Sequence, residues 1–316
     1  MTAPSDLPAD PPRAVVAAAA GAATAATTQG VIHDIGYRGY QGPRLGRGYA
    51  TRSLFVQSLR AAFGLGRSAR AKVLPMLMLA AVTLPAAVLV AITIMESRTE
   101  LATDYPRYLA GVGLLFVEIF TAAQAPVLLS RDLRHATVPL YFSRPITRAD
   151  YVRAKAAALV VALLVVTVLP LLVLYLGALL GGLDPARNTE HFAIGLLAAL
   201  LYSVVFAAVG LVIAAATPRR GFGVAAIMGV LVVSGLVANI VVALTQGAHQ
   251  VGTDNSSWAY LLAPDEVVAR FTNQLCGLAG DLGGTPGSLG AVVYGLEIVV
   301  IAAGAYALLL RRYRKI

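Results

Sequence analysis

Six stretches of this chain are each long enough and apolar enough to cross a lipid bilayer, and that pattern constrains the fold more than any motif. They run over 73–95, 108–129, 156–181, 192–216, 222–245 and 290–310. A bilayer core needs about 20 helical residues, and a soluble helix seldom runs that far without a charge. Of the 25 basic and 16 acidic residues, only Glu118 and Glu297 fall inside the six. With 13% of its residues charged, the chain cannot cover the outside of a water-soluble globule. Pro75, Pro85, Pro126 and Pro170 lie within these stretches, where neighbouring membrane helices can re-satisfy the backbone. The expected fold is an all-α integral membrane protein with six transmembrane helices.

The net charge of +9 then needs a location. With the N-terminus in the cytosol, nine basic residues precede the first span, six lie in 130–155, two between spans four and five, and four at the C-terminus. The opposite side holds four, Arg98, Arg107, Arg187 and Arg270. This asymmetry places both termini in the cytosol. Residues 14–29 follow Arg13 but lack the Leu/Val-rich centre of a secretory signal. Residues 1–30 are therefore expected to be a disordered low-complexity leader. No zinc-finger or RNP pattern accompanies the arginines, so headgroup contact is expected and nucleic-acid binding is not. The 22 arginines against three lysines suggest a GC-rich bacterial genome and hence a bacterial plasma membrane.

Few residues carry chemistry. None of Lys72, Lys155 and Lys315 follows a glycine, so the chain contains no P-loop. Gly64-Leu65-Gly66 and Gly46-Arg47-Gly48 are expected as turns. His33, His135, His191 and His249 form no H-E-x-x-H, and a single cysteine, Cys276, supports neither a disulfide framework nor a thiolate cluster. No enzyme activity, cofactor or metal is expected in this chain. A carboxylate within the bilayer costs about 2.5–3.5 kcal/mol on insertion scales. Glu118 and Glu297 are accordingly candidates either for a translocation path or for helix packing. Gly177 and Gly181, Gly210 and Ala214, and Ala291 and Gly295 have the spacing of close helix contacts.

Three further segments have a pattern. Residues 51–72 put Phe55, Leu59, Ala62 and Phe63 on one helical side among arginines, which suits a helix lying in the membrane interface within an N-terminal segment 31–72. In the loop 130–155, Pro139 and Pro145 break any continuous helix, and Asp150 marks a helix restart into span three. There Leu140, Tyr141 and Phe142 form an apolar knob framed by arginines, expected to be exposed and to dock a partner protein. In 246–289, Pro264-Asp265-Glu266 opens a helix whose face is Val267, Val268, Phe271, Leu275 and Leu278, expected at the outer membrane surface.

The stretch Ser130-Arg131-Asp132-Leu133-Arg134, followed by Leu140-Tyr141-Phe142-Ser143-Arg144-Pro145-Ile146-Thr147-Arg148, resembles the D…T…LY-x-SRP-x-x-R pattern of ABC-2 type transporter permeases. Ile32-His33-Asp34-Ile35-Gly36-Tyr37-Arg38 through Gly42-Pro43-Arg44 is similar to an N-terminal signature of an actinobacterial branch. The resemblance covers about 31–316, with 73–316 as the six-span domain. It implies export of a substrate driven by a separate ABC ATPase, present in two copies and carrying the ATP and Mg²⁺, and a second permease copy, identical or paralogous. It also implies that Arg131, Asp132, Leu140, Tyr141, Phe142, Arg144, Pro145 and Arg148 form the ATPase-coupling loop. A self-contained secondary transporter or channel would be expected to show internal repeats, and the two halves show no clear one. A membrane accessory subunit is the remaining alternative.

Overall fold

The computed structural model describes residues 42, 45–143, 145–248, 254–278 and 283–315. The expected leader 1–30, the signature around 32–44 and Arg144 therefore lie outside the described residues, apart from Gly42. The chain divides into two units, Met1–Arg44 and Leu45–Ile316, and the architecture below is that of the second. Among the described residues every regular element is helical.

The elements are α1 (Arg47–Ala62), α2 (Ala69–Met95), α3 (Tyr105–Arg134), α4 (Val138–Phe142), α5 (Arg148–Leu180), α6 (Pro185–Ala216), α7 (Arg220–Ala248), a 3-10 helix (Asp254–Leu262), α8 (Pro264–Leu275) and α9 (Gly287–Arg314). Helices α2, α3, α5, α6, α7 and α9 are long and apolar enough to cross a membrane and coincide with the six expected spans. The chain is a multi-pass membrane protein. Helix α3 is the central one, with 72% of its apolar window buried inside the protein against 22% for α2, α7 and α9. The outward apolar surface of those three, including Leu84, Leu236 and Val299, is what a lipid-facing helix presents.

Local chemistry accounts for how the spans hold their polar groups. Thr83, Thr93, Thr121, Thr167 and Ser203 each donate a hydroxyl to the carbonyl four residues earlier in the same helix. Pro85 offers no N–H to the preceding turn, and the Tyr108 hydroxyl donates to the neighbouring Val82 carbonyl. Tyr108 immediately precedes a π-helical turn, Leu109–Gly113, that interrupts α3. Gly177 brings α5 against α2: a Cβ there would lie 2.4 Å from a Val90 methyl. Gly210 does the same for α6 on α3, where a Cβ would lie 2.8 Å from Thr121. Two of the expected small-residue pairs thus sit at real helix crossings.

One expectation about the N-terminal segment changes. Gly46-Arg47-Gly48 is not a turn; Gly46 is the N-cap and α1 starts at Arg47. Leu54, Ser58, Ala62 and Phe63 of this region are buried, with Phe55 and Leu59 half-buried. The apolar face of α1 packs on the bundle, mainly on α5, which is why α1 belongs to the same unit as the spans. Gly64-Leu65-Gly66 is the turn expected. Gly64 has φ +67° and a Cβ there would strike the Ala71 carbonyl at 2.3 Å, so only glycine fits.

Candidate functional site

Helix α5 has 33 residues and so is about 50 Å long, well beyond the roughly 30 Å of a hydrocarbon core. Its length therefore exceeds what a hydrocarbon core requires, and the elements at its N-terminal end converge on its first two turns. The helix starts at Arg148, earlier than Asp150 alone suggested. Thr147 is the N-cap, its hydroxyl accepting from the Asp150 N–H while the Asp150 carboxylate accepts from the Thr147 N–H, a reciprocal capping box. Asp150 also accepts from the Arg47 guanidinium at 2.6 and 2.9 Å, which ties the start of α1 to the start of α5. This paired arginine holds the Asp150 residue and its cap in one geometry.

One turn further, Asp132 and Lys155 form an ion pair at 2.8 Å with side chains only 15% and 8% exposed. Asp132 Oδ2 also accepts from the Tyr151 hydroxyl at 2.8 Å. The Lys155 ammonium lies 5.5 Å from the Tyr151 ring centre and 6.0 Å from that of Tyr141. The Thr137 N–H and hydroxyl both donate to the Asp132 carbonyl, closing the turn between α3 and α4. Ala136 within that turn has φ +50°, a strained conformation for a residue with a Cβ. Ser130 anchors the end of α3 by donating to the Ala214 carbonyl of α6 at 2.8 Å. The loop is therefore bolted to the third span at Asp132 and to the fourth at Ser130.

The expected exposed knob is corrected in part. Leu140 is 67% exposed. Tyr141 and Phe142 are half-buried, with ring centres 5.6 and 6.1 Å from that of Tyr151. The cause is helical spacing: α4 buries Val138, and the residues three and four positions later fall on the same face. Tyr151 in turn packs 5.0 Å from Tyr313 near the end of α9. Arg148 lies 5.5 Å from the Phe142 ring, while Arg131 and Pro145 are exposed. Of the residues expected in this loop, Asp132, Tyr141, Phe142 and Arg148 are brought together around Tyr151. Leu140, Arg131 and Pro145 face outward.

The intramembrane carboxylates are not brought together. Glu118 is buried on α3, within electrostatic reach of Asp265 and Tyr202. Glu297 sits on α9, half-buried, with Oε2 shielded and unbonded. Asp265 is the group that sequence reasoning missed as an interior residue. Helix α8 forms as expected with Pro264 in its first turn, but it does not lie at the outer surface. Val267 and Val268 are fully buried, and Thr272 and Asn273 take the inward positions, whereas Leu275 is 61% exposed. Asp265 Oδ2 lies 3.7 Å from where a Cβ on Gly235 would stand. Gly235 is 13 residues before the end of α7 at Ala248, about 20 Å along that helix, so α8 starts deep among the spans. Of its two acids, Glu266 is tolerated there through its pair with Arg270 at 3.1 Å, whereas Asp265 Oδ1 is shielded and unbonded. Arg270 itself stacks 3.5 Å from the Tyr260 ring centre and donates to the Gly284 carbonyl. A cavity of about 330 Å³ beside it is lined by Arg107, Tyr202, Glu266, Arg270 and Asn273.

No protein-family model matches the chain, and no curated protein matches it.

Burial, reinforced by Glu266, raises the Asp265 carboxyl above its ordinary value. The folded protein holds this proton more tightly than the unfolded chain does. That contribution to stability is full below about pH 4 and is lost as pH rises through the raised folded value. Asp265→Asn should remove it. Relative to wild type, the variant is expected to gain thermal stability as pH rises from about 4 to about 8, measured on detergent-purified protein. Parallel profiles would show that Asp265 does not titrate in this range.

Proposed function

We propose that this chain is the membrane-spanning subunit of an ABC-2 type transporter, exporting a substrate with energy from a separate ATPase. The observation that carries this reading is the attachment of the 130–147 loop to the start of α5. A motor that pushes on a loop moves a span only if the loop is rigidly joined to it. Here the join consists of the Asp132–Lys155 ion pair, the Asp132–Tyr151 hydrogen bond and the Tyr141/Phe142 packing on Tyr151. Tyr151 passes the contact to Tyr313 on α9, and Asp150 passes it to Arg47 on α1. Leu140, Pro145 and Arg148 form the exposed surface that meets the ATPase, with Arg131 at its border, and Arg144 between Leu140 and Arg148 belongs to the same motif.

In this reading both termini and the loop are cytosolic, since the basic residues collect at this end of the bundle. Helix α1 sits at the cytosolic boundary of the bacterial plasma membrane, with its apolar face on the protein and its arginines toward headgroups. Two ATPase copies, which bind the ATP and Mg²⁺, act on two permease copies, identical or paralogous. Closure of the ATPase pair tilts α3 and α5 together, because Asp132 and Lys155 join them. Glu118, Asp265 and Tyr202 lie where that tilt alters the packing of α3 against α6 and α8.

Tyr141→Asp tests the reading. It places a carboxylate in the aromatic packing around Tyr151, and the variant is expected to insert normally while losing ATPase stimulation at least tenfold. The measurement is ATP hydrolysis by the co-purified complex in lipid, beside a proteolysis check of insertion. Normal stimulation by Tyr141→Asp, or a functional oligomer that purifies without an ATPase, would sink the assignment.

A further inference from the structure

A groove of about 680 Å³ at the basic end lies between α1, the turn that follows it and the end of α3. Four arginines line it: Arg52 and Arg60 from α1, Arg67 from the turn, and Arg131 from α3. Among the described residues none of the four has a carboxylate partner. The acid in electrostatic reach of Arg67 is Asp132, whose carboxylate is already held by Lys155 and Tyr151. Burial, with Arg131 and then Arg220 nearby, pushes the Arg67 guanidinium below its ordinary value. Like charges gathered this closely destabilise one another unless an anion joins them.

The turn is built to make this gathering. The left-handed glycines Gly64 and Gly66 reverse the chain between α1 and α2, so that Arg67 returns over the groove two residues before α2 begins. Arg131 is three residues past Leu128, at the same end of α3. The groove thus lies at the ends of two spans, where the headgroups of a surrounding bilayer would meet it. Its wall also carries Val56 and Leu65, apolar side chains that are 41% and 43% exposed. Guanidinium forks match phosphate oxygens bidentately, and the apolar wall beside them matches the start of an acyl chain.

We infer that Arg52, Arg60, Arg67 and Arg131 form a binding site for the phosphate of an anionic phospholipid headgroup. The shared chemistry with free phosphate is the diester or monoester oxygen array; the apolar wall favours the lipid. The inference rests on the membrane-spanning fold and not on ATPase coupling. A bound headgroup would brace α1 against the ends of α2 and α3.

The test uses the full chain in nanodiscs and a triple variant, Arg52→Gln/Arg60→Gln/Arg67→Gln, which leaves the 130–147 loop intact. Retained lipid is measured by native mass spectrometry with phosphatidylglycerol, phosphatidylcholine and inorganic phosphate as separate probes. Wild type is expected to prefer phosphatidylglycerol, and the triple variant to lose about fivefold in that affinity for each arginine removed. Phosphatidylcholine retention should stay level, and an Arg→Lys triple variant should keep part of the preference. A triple variant that keeps the full preference overturns the site. A parallel fall for both lipids overturns it too, since the arginines would then be supporting the scaffold. Displacement of the lipid by equimolar inorganic phosphate overturns the lipid as its occupant. Loss of the preference with ATPase capture intact separates this site from the coupling loop.

Discussion

Lys155→Met is expected to lower the stability of the purified protein by about 3–5 kcal/mol, because it leaves the Asp132 carboxylate buried without its cation. Asp132 is held between α3 and α5 with its side chain 15% exposed, so water can replace the lost partner only in part. The Tyr151 hydroxyl still donates to it, which supplies one hydrogen bond but no charge. Asp132→Asn/Lys155→Met should recover most of the loss, since removing both charges removes the desolvation cost along with the attraction. Thermal unfolding in detergent reads this part. The function separates from it: the double variant is expected to fold and yet to show weak ATPase stimulation, because the charged join between loop and third span is gone. Full coupling in the double variant would make the ion pair a packing feature and nothing more.

Gly177→Leu is expected to be the most damaging single change within the bilayer. At this crossing α5 approaches α2 so closely that even a Cβ would meet the Val90 methyls at 2.4 and 2.5 Å and its Cβ at 3.0 Å. Overpacking of a formed core costs about 1–3 kcal/mol, and a leucine has far more to place than one carbon. Between membrane helices, close approach of small residues is itself a main source of association, so separating the helices forfeits neighbouring contacts as well. Gly177→Ala should cost less, as the Val90 side chain can shift. Val90→Ala in the Gly177→Leu background should restore part of the stability, and a double-mutant cycle measures how much of the loss belongs to this pair. A cycle that gives no coupling between the two positions would mean the damage arises elsewhere along α5.

The six spans were legible because each is a local property: length and an unbroken apolar run need no knowledge of neighbours. The Thr147–Asp150 cap has a local signature as well, with a threonine followed three residues later by an acid. Asp265 was not legible. Its sequence context, a proline and two acids before an amphipathic run, is that of a surface helix start, and that helix does form. Its insertion sets Asp265 beside Gly235 of α7, and the Glu266–Arg270 pair reduces the cost of burying the second acid. Similarly, Tyr141 and Phe142 looked exposed because the loop is polar around them, and the ring that covers them, Tyr151, comes from the following helix. Tyr313 lies 162 residues beyond Tyr151, and no spacing rule links the two.

By itself, then, the amino-acid sequence determined the class of molecule. Apolar run length dictates membrane-crossing helices, the absence of glycine-preceded lysines leaves the chain without a P-loop, and Gly64-Leu65-Gly66 marks a turn. Only the tertiary structure decided which polar groups meet. Lys155 became a buried partner of Asp132, α1 packed on α5, and α8 dipped between the spans. The physical reason is that hydrophobic burial follows from a residue and its near neighbours, whereas pairing a charge inside a protein depends on a partner brought in by another part of the chain.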